Sequence, residues 1–358
     1  MKPSKVDSEW RLALEGSAAQ CAVSTTEVDS ETWSCAEINL GEILRAPNRN
    51  EFRWTGMSAP REIVPGRVYL VTRRCTQRQF LLRPDAETNN AFIYCLGYAA
   101  QRAAIKIVAF LASSNHYHAV VIDSDGRIPQ FLEEFHRLVA RHQNALRGRS
   151  ENVWSTEQTS LVELVGESTA LAKVIYTLAN PVKDHLVAVA HHWPGASSLR
   201  ATSHGETVSA RRPLRFFRKE GQMPPTIKFR CHRIPGWEKM ADDLYAAAIN
   251  DGIKEVETIA AADRQRTGRS LLGRKAILGQ SPNERPTSVP KKSSAHQKVA
   301  SLSGWMKAEA RARLKAFRAA YEAARQAWLQ GERILFPQGT WWLKRFAAVP
   351  CEPFPLAA

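Results

Sequence analysis

The chain has 358 residues, 44% of them hydrophobic, with a formal net charge of +15. It is long enough for more than one domain, and no apolar run reaches the ~18 residues of a membrane span, which excludes the membrane as an expected partner. Residues 1–198 carry 21 Lys and Arg against 21 Asp and Glu, whereas residues 199–358 carry 29 against 14, so the whole excess lies in the C-terminal part. That asymmetry points to an anionic polymer, most simply nucleic acid; a basic solvated surface is the competing reading.

Residues 1–65 show a weak apolar pattern and read as a partly ordered extension. The first residues lack the apolar stretch of a secretory signal. Arg67 to Arg74 alternates apolar and polar, the mark of a half-buried strand. Pro84-Asp85 predicts a helix start, and Phe92, Ile93, Leu96, Ala99, Ala100 and Ala103 recur at helical spacing to about Ile105. Lys106 to Leu111 is a short buried strand. A turn at Ser113-Ser114-Asn115 leads into His116-Tyr117-His118 and the aliphatic run Ala119 to Ile122, a second strand pairing antiparallel with the first. Helices are predicted over 130–147 and from Ser168 to about Ala179, with a short strand at 160–165 between them. Asn180-Pro181 is expected to close the later helix.

The region 66–198 therefore reads as an α+β domain with an antiparallel sheet and helices packed on it. The rest, 199–358, reads as a basic, mostly helical region. It contains an amphipathic helix at 238–263, a flexible Ser/Pro/Lys linker at 281–303 and a final helix at about 305–330. Arg211, Arg212, Arg215 and Arg218 form one cationic cluster, interleaved with Phe216, Phe217 and Phe229. Arg266, Arg269 and Arg274 form another. The six cysteines are scattered with no Cys-x-x-Cys pair, which argues against a zinc ribbon or a disulfide framework and fits a cytoplasmic protein.

Two pairs of residues carry chemistry. On a strand, His116 and His118 point to one face. Two imidazoles can grip a divalent ion given a third ligand, although two histidines packed in the core are the plainer alternative. In the helix before Pro181, Tyr176 and Asn180 lie one turn apart on one face. A tyrosine hydroxyl can act as a nucleophile, and an amide oxygen can complete an N/O site suited to Mg²⁺ or Mn²⁺. A packed tyrosine and a helix-ending asparagine are the alternative here.

The residues Asn115-His116-Tyr117-His118, followed by aliphatics, and Tyr176-Thr177-Leu178-Ala179-Asn180-Pro181 resemble the single-tyrosine HUH transposase family, in its REP-associated branch. Arg73, Arg74, Arg78 and Phe80, and Trp193 to Ser198, look familial too. The Met-Pro that usually precedes the family's histidine motif is replaced by Ser113-Ser114. The resemblance spans about 65–198 and implies an HUH, ferredoxin-like fold. It implies His116, His118 and Asn180 as metal ligands and Tyr176 as the nucleophile on a DNA phosphodiester, forming a 5′-phosphotyrosine. It also implies a single-stranded, hairpin-containing DNA substrate and a dimer. Arg73, Arg74, Arg78 and the C-terminal arginines are expected to contact DNA. In such folds the helix at 130–147 is expected to face the site, and here it carries no tyrosine. The alternative is a domesticated DNA-binding protein of the same fold without catalysis. A small-molecule hydrolase leaves the basic tail unexplained.

Overall fold

The computed structural model describes residues 60–288 and 297–354. The expected extension, apart from 60–65, lies outside the described residues, as does 289–296 of the expected linker. The chain divides into two compact units, and the described part of the larger one runs from Pro65 to Lys307.

In that unit β1 (Arg67–Arg74) lies at the centre of a sheet. It pairs antiparallel with β3 (His116–Asp123) on one side and β4 (Ser160–Leu164) on the other. β2 (Ile105–Ser113) forms an antiparallel hairpin with β3, as the short Ser114-Asn115 turn dictates. The fifth strand is β7 (Val299–Ala300), which joins β4 in parallel, giving the order β2-β3-β1-β4-β7. The architecture is α+β as expected, but the sheet is mixed rather than wholly antiparallel. A two-residue strand inside a Ser/Pro/Lys-rich stretch has no period to read.

Helices cover both faces. Helix α1 (Ala86–Arg102) is capped by Asp85, whose Oδ1 accepts from Thr88 N at 2.7 Å. Helix α2 (Ile128–Arg147) is started by Asp123, whose carboxylate accepts from Arg127 N and Ile128 N. It ends at Gly148 in the left-handed conformation, φ +62°. α1 and α2 pack on the face carrying Tyr117, where Phe92, Tyr117 and Phe135 meet edge to face at 5.2–5.7 Å.

The opposite face carries His116, His118, Val120 and Ile122 and is covered by α3 (Glu167–Lys183). Outside it lies the longer helix α5 (Asp242–Thr267). Tyr245, Ile249, Ile253, Val256 and Ala260 of α5 share one apolar core with Leu171, Val174, Ile175 and Leu178 of α3. The core therefore does not stop near residue 198. The short helix α4 (Leu199–His204) leads out of the sheet region, and the hairpin β5 (Val208–Arg211) and β6 (Thr226–Phe229) packs against α1. Helix α6 (Arg274–Gly279) belongs to the same unit.

Helix α7 (Gly304–Leu329) continues into the smaller unit, where the stripe Phe317, Tyr321, Ala324 and Trp328 packs on Phe336, Val349 and Leu343, the last from α8 (Trp342–Phe346). That stripe is core, as its spacing suggested. Among the described residues no helix is long and apolar enough to cross a membrane.

Candidate active site

Register brings the histidines together. Thr72 stands opposite His118 and Arg74 opposite His116 across the β1–β3 ladder, so all four side chains share a face. The two imidazole rings lie 4.9 Å apart, edge to face. Each has its Nδ1 occupied: His116 Nδ1 is 2.8 Å from Asn115 Oδ1, and His118 Nδ1 is 2.7 Å from Thr72 Oγ1. With Nδ1–H donating to these oxygens, each Nε2 keeps its lone pair. His118 is 2% exposed, and its buried Nε2 has no hydrogen-bond partner.

Helix α3 supplies the rest. Its ring-bearing face lies over the histidines: the Tyr176 ring meets the His118 ring edge to face at 5.3 Å. One turn on, Asn180 Oδ1 accepts from Ser113 Oγ at 3.1 Å, and the Asn180 side chain comes close enough to the His116 ring to favour its charged form. The helix does not close at Asn180-Pro181 but runs through to Lys183. Pro181 and Val182 are buried, and that packing overrides the local disfavour of helix before proline. The extra turn puts Lys183 Nζ 4.5 Å from the Tyr176 ring centroid, with Lys173 Nζ at 5.3 Å. Tyr176 itself is 5% exposed.

Electrostatics favour neutral imidazoles. Burial, with the nearby Arg74, pulls His116 down to about 4. Burial, then His116, Lys183, Arg74 and Lys173, hold His118 well below the ordinary imidazole value. Neutral rings are the metal-binding form, and a hydrogen-bonded Nδ1 is the usual device for presenting Nε2 to a metal. Two imidazoles, an amide oxygen and an orphaned buried Nε2 fit a divalent ion. Among the described residues no group of three His, Cys, Asp or Glu side chains could hold one, so an ion here would depend on Asn180.

The arginines separate into different settings. Arg74 and Arg78 act electrostatically on His116, and Arg74 and Arg269 on Asp184 beside α3. The segment after α5 returns along this end of α3, with Leu272 N donating to His185 O and Gly273 N to Leu186 O. Arg78 also donates to Ser288 O at 2.6 Å. Arg73 points to the other face, where its guanidinium donates to His136 Nδ1 at 3.0 Å and Thr159 Oγ1 at 2.9 Å. Arg212 ties its own loop together, Arg215 pairs with Glu87 at 3.0 Å, and Arg266 with Asp263 at 2.5 Å. Arg211, Arg218 and Arg274 are exposed. Helix α2, expected to face the site, packs on the Tyr117 face instead. Sequence reasoning passed over Thr72, Lys173 and Lys183. The helical spacing of Lys173 and Lys183 from Tyr176, three and seven residues, was the available signal for the lysines.

No family model and no curated protein matches this chain. Several solved structures overlap it, two of them weakly. One is a REP-associated tyrosine transposase bound to a REP hairpin: 18% identity, 42% of this chain and 87% of that one, TM-score 0.36. The other is a transposase-class protein from Deinococcus radiodurans: 16% identity, 33% and 93%, TM-score 0.25. Each is a likeness over part of the chain.

Proposed function

We propose that this chain is a metal-dependent DNA strand transferase that nicks and rejoins single-stranded DNA through Tyr176. The observation that carries the reading is the contact between the His118 and Tyr176 rings at 5.3 Å, which joins two motifs far apart in sequence. Tyr176 Oη attacks phosphorus, a 5′-phosphotyrosine bond forms, and the 3′ oxygen leaves to take up a proton as a hydroxyl. Lys173 and Lys183, beside the phenol, attract the phosphate and favour the phenolate over the phenol. Mg²⁺ or Mn²⁺ bound by His116, His118 and Asn180 would supply charge that polarises a phosphate oxygen. Arg74, Arg78 and Arg269 steer the backbone toward this end of α3.

The test uses full-length protein, Mn²⁺ and single-stranded hairpin oligonucleotides from the flanks of its own gene. A covalent protein–DNA adduct is expected, absent in Tyr176→Phe. The 5% exposure of Tyr176 favours a second reading, a DNA-binding protein of this fold that does not cleave. Hairpin binding without an adduct from any flank would establish that second reading.

A further inference from the structure

The loop between β5 and β6 is built to be rigid and yet displays apolar groups to solvent. Arg212 holds it from within, donating to the carbonyls of Lys219, Gly221 at 3.0 Å and Met223 at 2.5 Å. Tyr94 Oη donates to Pro224 O at 2.6 Å, and Asn90 exchanges two hydrogen bonds with the Arg211 backbone. Phe217 is sunk at 7% exposure against Tyr94. Phe229 packs on Gly97 and Phe110. The Phe217 ring is closed to a partner, and Phe229 is partly covered by these contacts.

Phe216 and Leu214 are different. Phe216 is 43% exposed and Leu214 84%. Phe216 adopts φ +71°, a left-handed conformation costly for a residue with a bulky side chain. The Phe216 ring is braced by Phe217 at 5.2 Å, edge to face, and by the Arg141 guanidinium 5.7 Å from its centroid. Arg211, Arg218 and Lys219, within a few residues of the pair in the chain, are exposed, as is Arg215, which pairs with Glu87. A held aromatic face with a cation against it and a basic rim matches an unpaired base and its flanking phosphates.

We propose that the 212–223 loop is a second nucleic-acid site, in which Phe216 stacks on an unpaired base, Leu214 packs beside it, and Arg218 and Lys219 meet the adjoining phosphates. It lies on the α1 and α2 side of the sheet, away from Tyr176, and does not require that tyrosine to be a nucleophile. Charge complementarity selects the occupant. An anionic membrane is the rival surface, but it would draw on more than two exposed apolar side chains.

The experiment is fluorescence anisotropy with a fluorescein-labelled deoxythymidine 20-mer, in EDTA so that no cleavage enters. Base stacking is worth enough that Phe216→Ala should weaken binding by about tenfold, while Phe216→Trp restores it. The double change Arg218→Gln, Lys219→Gln should lower the log–log salt slope by about one to two. Thermal unfolding of Phe216→Ala should match the parent, since the ring is half in solvent. Unchanged affinity in Phe216→Ala overturns the proposal, as does a Phe216→Trp protein that binds as poorly as the alanine variant. Phe216-dependent binding to phosphatidylserine vesicles with unaltered oligonucleotide binding overturns it in favour of a membrane.

Discussion

The two faces of the sheet each bury histidine beside tyrosine, and they treat it in opposite ways. On the α1 and α2 face, His136 accepts from Arg73 at Nδ1, 3.0 Å, and its Nε2 is 2.6 Å from the Tyr117 hydroxyl. The backbone of His136 also accepts from Trp154 Nε1 at 2.9 Å. Both ring nitrogens are committed. On the α3 face, His118 is equally buried but only Nδ1 is held, and Nε2 is left without a partner. A satisfied buried histidine stabilises a fold; one with an orphaned nitrogen costs stability and needs a reason. An orphaned nitrogen alone does not mark a site, since His142 on α2 is buried with neither ring nitrogen hydrogen-bonded. What sets His118 apart is that its free Nε2 belongs to a ring packed beside a second imidazole and the Tyr176 ring.

The largest expected effect breaks this comparison directly. His118→Ala should abolish the Mn²⁺-dependent DNA adduct and should cost less in urea unfolding than His136→Ala, because it leaves one hydrogen-bond partner, Thr72, unpaired rather than two and removes an unsatisfied buried nitrogen. His136→Ala should do the reverse. It strips Arg73 and the Tyr117 hydroxyl of a partner, at about 2–4 kcal/mol in urea unfolding, yet adduct yield per folded molecule should persist. If His118→Ala keeps adduct formation, the α3 face has no metal-dependent role.

The next effect is on pH. Burial, then Arg73, depresses His136, and burial brings His142 on the same helix down to about 4, with Arg147 and Arg215 adding to it against Asp85. The unfolded chain takes up protons near 6.5, where the native rings stay neutral. Between about 6.5 and 4 the unfolded state binds more protons, so stability is present above that window and is lost as pH falls through it. Urea unfolding at pH 7.5, 6 and 5 should show the decline, and His136→Ala should flatten it. On the α3 face the same depression has a different consequence. An exposed pair of ordinary imidazoles would lose about a hundredfold in metal affinity between pH 7.5 and 5.5. Here His116, at about 4, and His118 are already neutral. Mn²⁺ affinity by calorimetry should therefore change little over that range and fall steeply only toward pH 4.

Much of this contrast was legible in the sequence, and some of it could not be. The period-two spacing of His116 and His118 and the i,i+4 spacing of Tyr176 and Asn180 fix which side chains share a face. They do not say which helix covers that face. Helix α2 was expected beside the site and packs behind it, because nothing local distinguishes the two sides of a strand buried on both. Arg73 and Arg74 are adjacent cations in a strand, so alternation must send them to opposite faces. The register shows that Arg74 stands opposite His116, while Arg73 serves His136. Strand β7 joins a strand more than a hundred residues before it, and α5 packs on a helix that ends well before it begins, which periodicity cannot see. The buried Phe217 and displayed Phe216 are neighbours in one loop, and it is tertiary packing of Phe217 on Tyr94 and His142 that separates them.

The smallest expected effect sharpens the contrast within the α3 face. Lys183 reaches the Tyr176 ring only because the helix continues through Pro181. If its charge steers the phosphate and favours the phenolate, Lys183→Gln should slow adduct formation by about tenfold, near 1.4 kcal/mol. Arginine should restore much of that rate, whereas Lys183→Met, which keeps the apolar stem, should not. A structural role for the stem predicts the opposite: Met would rescue and the rate would follow thermal stability. Reading adduct rate and melting temperature on the same three variants decides between charge and packing at this position.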